Sequence, residues 1–219
     1  GAGSLLSQLK AEGLAQGLSA GDGLSWDGSA LFSVVVALTE KGAAAPDRVL
    51  QLLFAYLDKL RKEGPQDWLY AEQARLADLS FRFREQGSPM GYVSALASGM
   101  QYYAPEDILR GPYMMDHYEE AVLAQLLQQI RPDNALVTFS DKAVTGDRVS
   151  KYYEVPYAQH ALDLKRVASP AGDAGAAALH LPAPNEFVAE DVSLVALPGR
   201  LPVVPQVALE AERQKIWFM

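Results

Sequence analysis

The chain contains no cysteine. Disulfides, thiolate metal sites and a cysteine nucleophile are therefore excluded. A cysteine-free chain suits an oxidising compartment without fixing one. Histidine is scarce, with three in 219 residues. Positive charge is outweighed: 19 Lys and Arg stand against 27 Asp and Glu, a formal charge of −8. That balance disfavours nucleic acid or anionic lipid as the main partner. No apolar run approaches the ~20 residues of a membrane span, and no signal peptide is visible. The chain opens at Gly1-Ala2-Gly3-Ser4 with no initiator Met, which predicts a piece of a longer chain. What is present is 49% hydrophobic residues, with 7 Phe, 3 Trp and 10 Tyr. This suffices for a sizeable core and excludes disorder over the whole length.

Ser4 reads as an N-cap for a short helix over Leu5, Leu6 and Leu9 that stops at Gly13. Leu14 to Ala20 reads as a short strand, and Asp22-Gly23 and Asp27-Gly28 as turn dipeptides. Ser29 to Leu38 is the clearest strand. It places Ala30, Phe32, Val34, Val36 and Leu38 on one face and Leu31, Val35 and Ala37 on the other. Two apolar faces predict cover on both sides, at least in part. Four helical runs follow: Asp47 to Lys62 behind Pro46, Gln66 to Glu85, Pro89 to Tyr103, and a run from an Asp116 cap to Ile130. Pro105 to Leu109 allows one more turn of helix. Ala135 to Ser140 alternates like a strand, and Tyr153 to Tyr157 is an edge strand at best because of Pro156. From Ala168 onward six prolines and an Ala-Gly patch predict an extended arm. Trp217 and Phe218 at its end need something to pack on.

Several motifs invite a catalytic reading and fail on context. Gly17-Leu18-Ser19-Ala20-Gly21 matches G-x-S-x-G, but a nucleophile elbow needs a strand-to-helix turn, and Ser19 sits between strands. Its partners would have to be His160 or His180, both in irregular segments. Ser7-Gln8-Leu9-Lys10 matches S-x-x-K, with Ser140-Asp141-Lys142 a weak second element and no K-T-G. His117, His160 and His180 are isolated, so no pair lies one helical turn apart to reach a single ion. Glu106-Asp107 and Glu119-Glu120 are paired carboxylates, but at expected helix starts they serve the helix dipole. Tyr102-Tyr103 and Tyr152-Tyr153 read as packing rather than a ligand wall. Residue pattern alone thus gives an acidic α+β domain without a catalytic set. An edge strand that accepts a peptide by strand addition stays open.

At separated places, in order, the chain resembles the second domain of the pitrilysin and insulin-degrading-enzyme family of zinc metallopeptidases. The stretches are Gly3 to Lys10, Leu38-Thr39-Glu40-Lys41-Gly42, Leu60 to Trp68, Phe81-Arg82-Phe83-Arg84, Gly91-Tyr92, Tyr102-Tyr103, Arg131 to Asn134, Leu181 to Val188 and Ile216-Trp217-Phe218. The most specific are Glu63-Gly64-Pro65-Gln66-Asp67-Trp68 and Leu181-Pro182-Ala183-Pro184-Asn185-Glu186-Phe187. Near-complete coverage, Gly3 to Phe218, makes the resemblance strong.

The resemblance implies an α+β fold of mostly antiparallel sheet with helices on one face. It implies a division into residues 1–163 and an arm over 164–219 leading to the next domain. Family zinc ligands and general base map to no residue here, so zinc belongs to the complete enzyme and this piece alone is expected to be inactive. Its implied role is to wall an enclosed chamber and anchor the peptide's N-terminal end on an edge strand. That strand maps to Leu18, Ala20 and Asp22, with Ala20 in place of glycine and Asp22 in place of glutamine. Where some relatives carry Arg-Pro-Arg before Gly-Tyr, this chain has Ser88-Pro89-Met90, so polyanion binding is not expected there. Expected partners are peptide substrates and the other domains of the complete chain, with no nucleic acid and no membrane span. The expected compartment is the periplasm, the cytoplasm being the alternative. The competing function is that of a catalytically inactive relative serving as a structural or partner subunit.

Overall fold

A computed structural model describes residues 1–219 apart from Asp27, Gln86, Ser169, Ala171, residues 194–203 and Met219. The described residues form two units, Gly1–Asn185 and Glu186–Met219.

The first unit begins with helix α1, Leu5–Ala11, capped as expected by Ser4, whose hydroxyl accepts from the Ser7 N–H. Strands β1 (Ala15–Trp26) and β2 (Ser29–Leu38) then form one long antiparallel hairpin. The expected strand over Leu14–Ala20 therefore runs further. Asp22-Gly23 is no turn: it lies within β1, where the register shifts between Asp22 and Leu24. The chain absorbs an extra residue there as a bulge, which glycine tolerates. Thr39 caps the short helix α2 (Glu40–Ala43), accepting from the Gly42 N–H.

Helix α3, Pro46–Glu63, starts at the expected proline and ends at Gly64, whose φ of 72° favours glycine. The sequence predicts a single apolar stripe; α3 buries two. Val49 and Leu52 join Leu5, Leu9, Leu14 and Ala15 in one cluster. Phe54 and Leu57 join Val167 in a second, flanked by Ile130 and Leu162. The α3 helix is thus the spine of the unit. Two further helices follow, α4 (Asp67–Arg82) and α5 (Pro89–Gly99), the latter shorter than the expected run to Tyr103. Helix α6, Glu120–Gln129, starts later than expected. Asp116 does not cap it but pairs with Arg110 at 2.6 Å. Pro105–Leu109 forms turns rather than helix.

Ala135–Ser140 alternates but is not a strand, because no neighbouring strand pairs with it. Strands β3 (Arg148–Val149) and β4 (Pro156–Tyr157) make a two-residue ladder. Over the segment where an extended arm is expected, helix α7 (Ala174–Ala177) forms, and Val167 and Leu179 are each only 2% exposed. In the second unit β5 (Gln206–Ala211) pairs with β6 (Gln214–Phe218). Among the described residues the sheets are three antiparallel pairs. The chain is therefore mixed helices and small sheets, not dominated by one sheet.

Candidate functional site

The three mapped residues share one face of β1, because alternate residues of a strand point the same way. Leu18 lies opposite Val36, Ala20 opposite Val34, and Asp22 opposite Phe32. The Leu18 end rests on the first core cluster with Val36 and Leu38, while Ala20 and Asp22 are exposed. Neither outer edge of the hairpin is paired with another strand among the described residues. An unpaired edge presents backbone donors and acceptors ready for an added strand.

Cover on both faces of β2 was the expectation, and the structure departs from it. Leu31 and Val35 on one face and Phe32 on the other are half-exposed or more, as are Leu24 and Trp26 on β1. Only the root of one face is packed, on α1 and α3. Apolar surface on this scale marks a place where another element docks.

The root of the hairpin is held by a polar cluster that sequence reasoning did not find. Arg48, in the first turn of α3, grips two carboxylates. Its Nε and Nη2 donate to Glu12 at 2.8 and 2.6 Å. Its Nη1 and Nη2 donate to Asp173 at 2.5 and 3.0 Å. Such forked, charge-assisted contacts are stronger than neutral hydrogen bonds. The three residues stand 36 and 125 positions apart, so no local pattern announces them. Asp173 also caps α7, accepting from the N–H groups of Gly175 and Ala176. A Cβ on Gly175 would lie 2.5 Å from Arg48 Nη2 and 2.6 Å from a Glu12 oxygen, so a larger residue would push these side-chain ends aside.

The hydrogen bonds from Arg48 hold the Glu12 carboxyl below its usual range, partly opposed by burial, with Gln8 helping. A carboxylate depressed on folding stabilises the fold above its unfolded value of ~4.3. That contribution is lost as pH falls through the lower folded value. The Asp58 carboxyl is likewise lowered, mainly by Lys62. Urea midpoints measured from pH 6 to pH 3 should therefore fall, and fall less steeply in Arg48→Met, where the Glu12 share is lost. Parallel curves would contradict this assignment.

The other candidates are not assembled. Ser19 lies within β1 opposite Val35, far from any strand-to-helix turn. The His180 N–H donates to the Gly3 carbonyl and its Nδ1 lies 2.7 Å from the Leu181 carbonyl, a structural role. Ser7 and Lys10 sit on α1. Glu120 opens α6 as expected, whereas Glu106 and Asp107 start no helix. Tyr102, Tyr152 and Tyr153 are each at least 80% exposed, and Lys151 Nζ lies 5.4 Å from the centre of the Tyr152 ring. Among the described residues no three His, Asp or Glu side chains gather as metal ligands. The residues described here therefore do not fit zinc.

Known proteins resemble the chain along its full length. A family model described as the peptidase M16 inactive domain matches residues 1–76. A second, described as the middle or third domain of peptidase M16, matches residues 81–219. Insulin-degrading enzyme of Homo sapiens is 30% identical over 220 residues, covering 100% of this chain and 22% of that protein. Protease 3 of Escherichia coli is 28% identical over 194 residues, covering 88% and 20% respectively. The crystal structure of pitrilysin superposes with a TM-score of 0.84 at 26% identity, covering 98% of this chain and 23% of that one. The chain spans about a fifth of the length of these relatives. With both models meeting between residues 76 and 81 and together covering nearly every residue, the chain belongs to the M16 peptidase family and corresponds to its inactive and middle domains.

Proposed function

We propose that this chain is the substrate-positioning part of a zinc metallopeptidase that degrades peptides in an enclosed chamber. Strand β1 anchors the N-terminal end of the peptide by strand addition, and this part contributes no catalytic residue. The unpaired β1 edge beside a half-exposed apolar face carries the reading. Backbone pairing of this kind demands open donors and acceptors rather than special side chains. Ala20 in place of glycine leaves it intact. The zinc and the group that activates water belong to another part of the complete protein, since the described residues do not fit the metal. The relatives supporting the reading include one named for degrading insulin and one named for processing A-factor. A periplasmic location is the compartment we propose with it.

Asp22 is the specificity element. It is exposed at the β1 bulge and, among the described residues, makes no ion pair, so its charge is available to a peptide ammonium. In the complete protein Asp22→Asn should weaken binding of free-N-terminus peptides by about 3–10-fold, the range of a partly exposed ion pair of ~1 kcal/mol. N-acetylated peptides should be unaffected. Equal losses for both would remove Asp22 from the reading. The edge itself is tested with the 219-residue chain and peptides N-methylated at alternate amides. Methylation should abolish binding in one phase and spare it in the other. Zinc-dependent cleavage by the pure chain would overturn the proposal.

A further inference from the structure

The Arg48 cluster has no place in the function proposed above, yet its contacts converge on the root of β1. Glu12 ends α1, three residues before β1 begins. Its carboxylate is held by Arg48, and its carbonyl accepts from Lys41 Nζ at 2.7 Å. The Gly13 carbonyl accepts from the Thr39 hydroxyl at 2.7 Å, and the Leu14 carbonyl from the Thr39 N–H at 3.1 Å. Among the described residues, no such bond from outside the hairpin reaches the strand beyond Leu18. The hairpin is a cantilever fixed at one end.

We infer that Arg48 is a positioning residue for the peptide-anchoring strand: by tying Glu12 to Asp173 across the start of α3, it fixes the direction in which the β1 edge leaves the core. The inference rests on the strand-anchoring reading. Leverage is its physical basis. Asp22 lies eight residues beyond Leu14, roughly 25 Å at ~3.3 Å per residue. A rotation of ~5° at the root moves it by about 2 Å, enough to misalign the backbone donors and acceptors that would pair with a peptide and so weaken its binding. The segment behind Asp173 is a firm anchor in its own right. Val167 and Leu179 are buried, Gln51 donates to the Arg166 carbonyl at 2.9 Å, and the His180 N–H donates to the Gly3 carbonyl at 3.0 Å. Removing Arg48 thus frees the strand root without undocking that segment.

The test uses the complete protein and two peptide classes: long ones with a free N-terminus that reaches the strand, and short ones with two residues before the cleaved bond. Arg48→Met should raise KM for long peptides about tenfold with kcat within about twofold. Both constants should hold for short peptides. Arg48→Lys should recover only part, because a point charge cannot fork to two carboxylates. Amide hydrogen exchange should quicken at residues 12–18 and stay unchanged at residues 167 and 179. Should Arg48→Met fail to fold, Glu12→Gln breaks the same charge pair more gently and should give the same split. Faster exchange with unchanged KM would make the cluster a fold support only and overturn the inference. Unchanged exchange, or equal losses on both peptide classes, would also overturn it. A wild-type protein indifferent to N-terminal extension would sink the strand-anchoring reading and this inference with it. The exchange pattern would still show separately whether Arg48 holds the root.

Discussion

Gly42→Ala should destabilise the first unit by about 3 kcal/mol, at the upper end of what overpacking costs. The reason is geometric. Gly42 is buried in α2, and a Cβ there would lie 1.9 Å from the Leu14 carbonyl oxygen and 2.9 Å from its carbon. Backbone cannot swing aside as a flexible side chain can. The same oxygen accepts the Thr39 N–H that joins the start of β1 to the end of β2. Relief of the clash therefore opens the root of the hairpin. With a urea slope of about 2 kcal/mol per molar, the midpoint should drop by about 1.5 M. Gly21→Ala is the matched control, since a Cβ there meets nothing within 4 Å. If the two variants unfold together, the close approach of α2 to β1 is wrong.

Leu52→Ala should cost about 3–4 kcal/mol, the usual range for a buried leucine that leaves a cavity. Leu52 is 0% exposed and belongs to the cluster that seats α1 and the start of β1 on α3. Among the described residues only ten hydrophobic side chains are buried, so little else can compensate. Against a typical domain stability of ~5–15 kcal/mol, one truncation removes a large share. Leu52→Met keeps the volume and should cost less than about 1.5 kcal/mol. Leu136→Ala, at a residue 92% exposed, should change stability by no more than about 0.5 kcal/mol. Denaturant unfolding followed by far-UV circular dichroism gives all three. A Leu52→Ala midpoint equal to wild type would show that this cluster does not hold the unit together.

Much of the local structure was legible because its causes are local. Ser4 and Thr39 cap helices through their own hydroxyls, Pro46 starts α3, and Gly64 ends it. The β2 bounds follow from a run that is apolar apart from Ser29 and Ser33. Errors fell where a partner decides. Ala135–Ser140 has the alternation of a strand and no strand beside it. Asp116 has the chemistry of a cap but finds Arg110 instead. Asp22-Gly23 has the composition of a turn, yet pairing with β2 carries the strand through it.

The candidate site divides the same way. Leu18, Ala20 and Asp22 came from a resemblance of sequence, and their common face follows from the period of a strand. The openness of the β1 edge did not, because whether a strand has a neighbour is a property of the whole sheet. The Arg48 cluster was equally hidden. Its carboxylates come from the end of α1 and the start of α7, and each alone reads as an ordinary surface charge.

By itself, the sequence determined the family, the absence of thiol chemistry, the helix caps and the hairpin's main strand, since each depends on residue identity or short-range spacing. Only the tertiary structure decided which apolar faces are covered, which strand edge is open, and which distant charges meet at the root of β1. Those outcomes depend on contacts between segments distant in the chain, Arg48 and Asp173 standing 125 residues apart, whose closure is driven by burial of the α3 core rather than by any local preference.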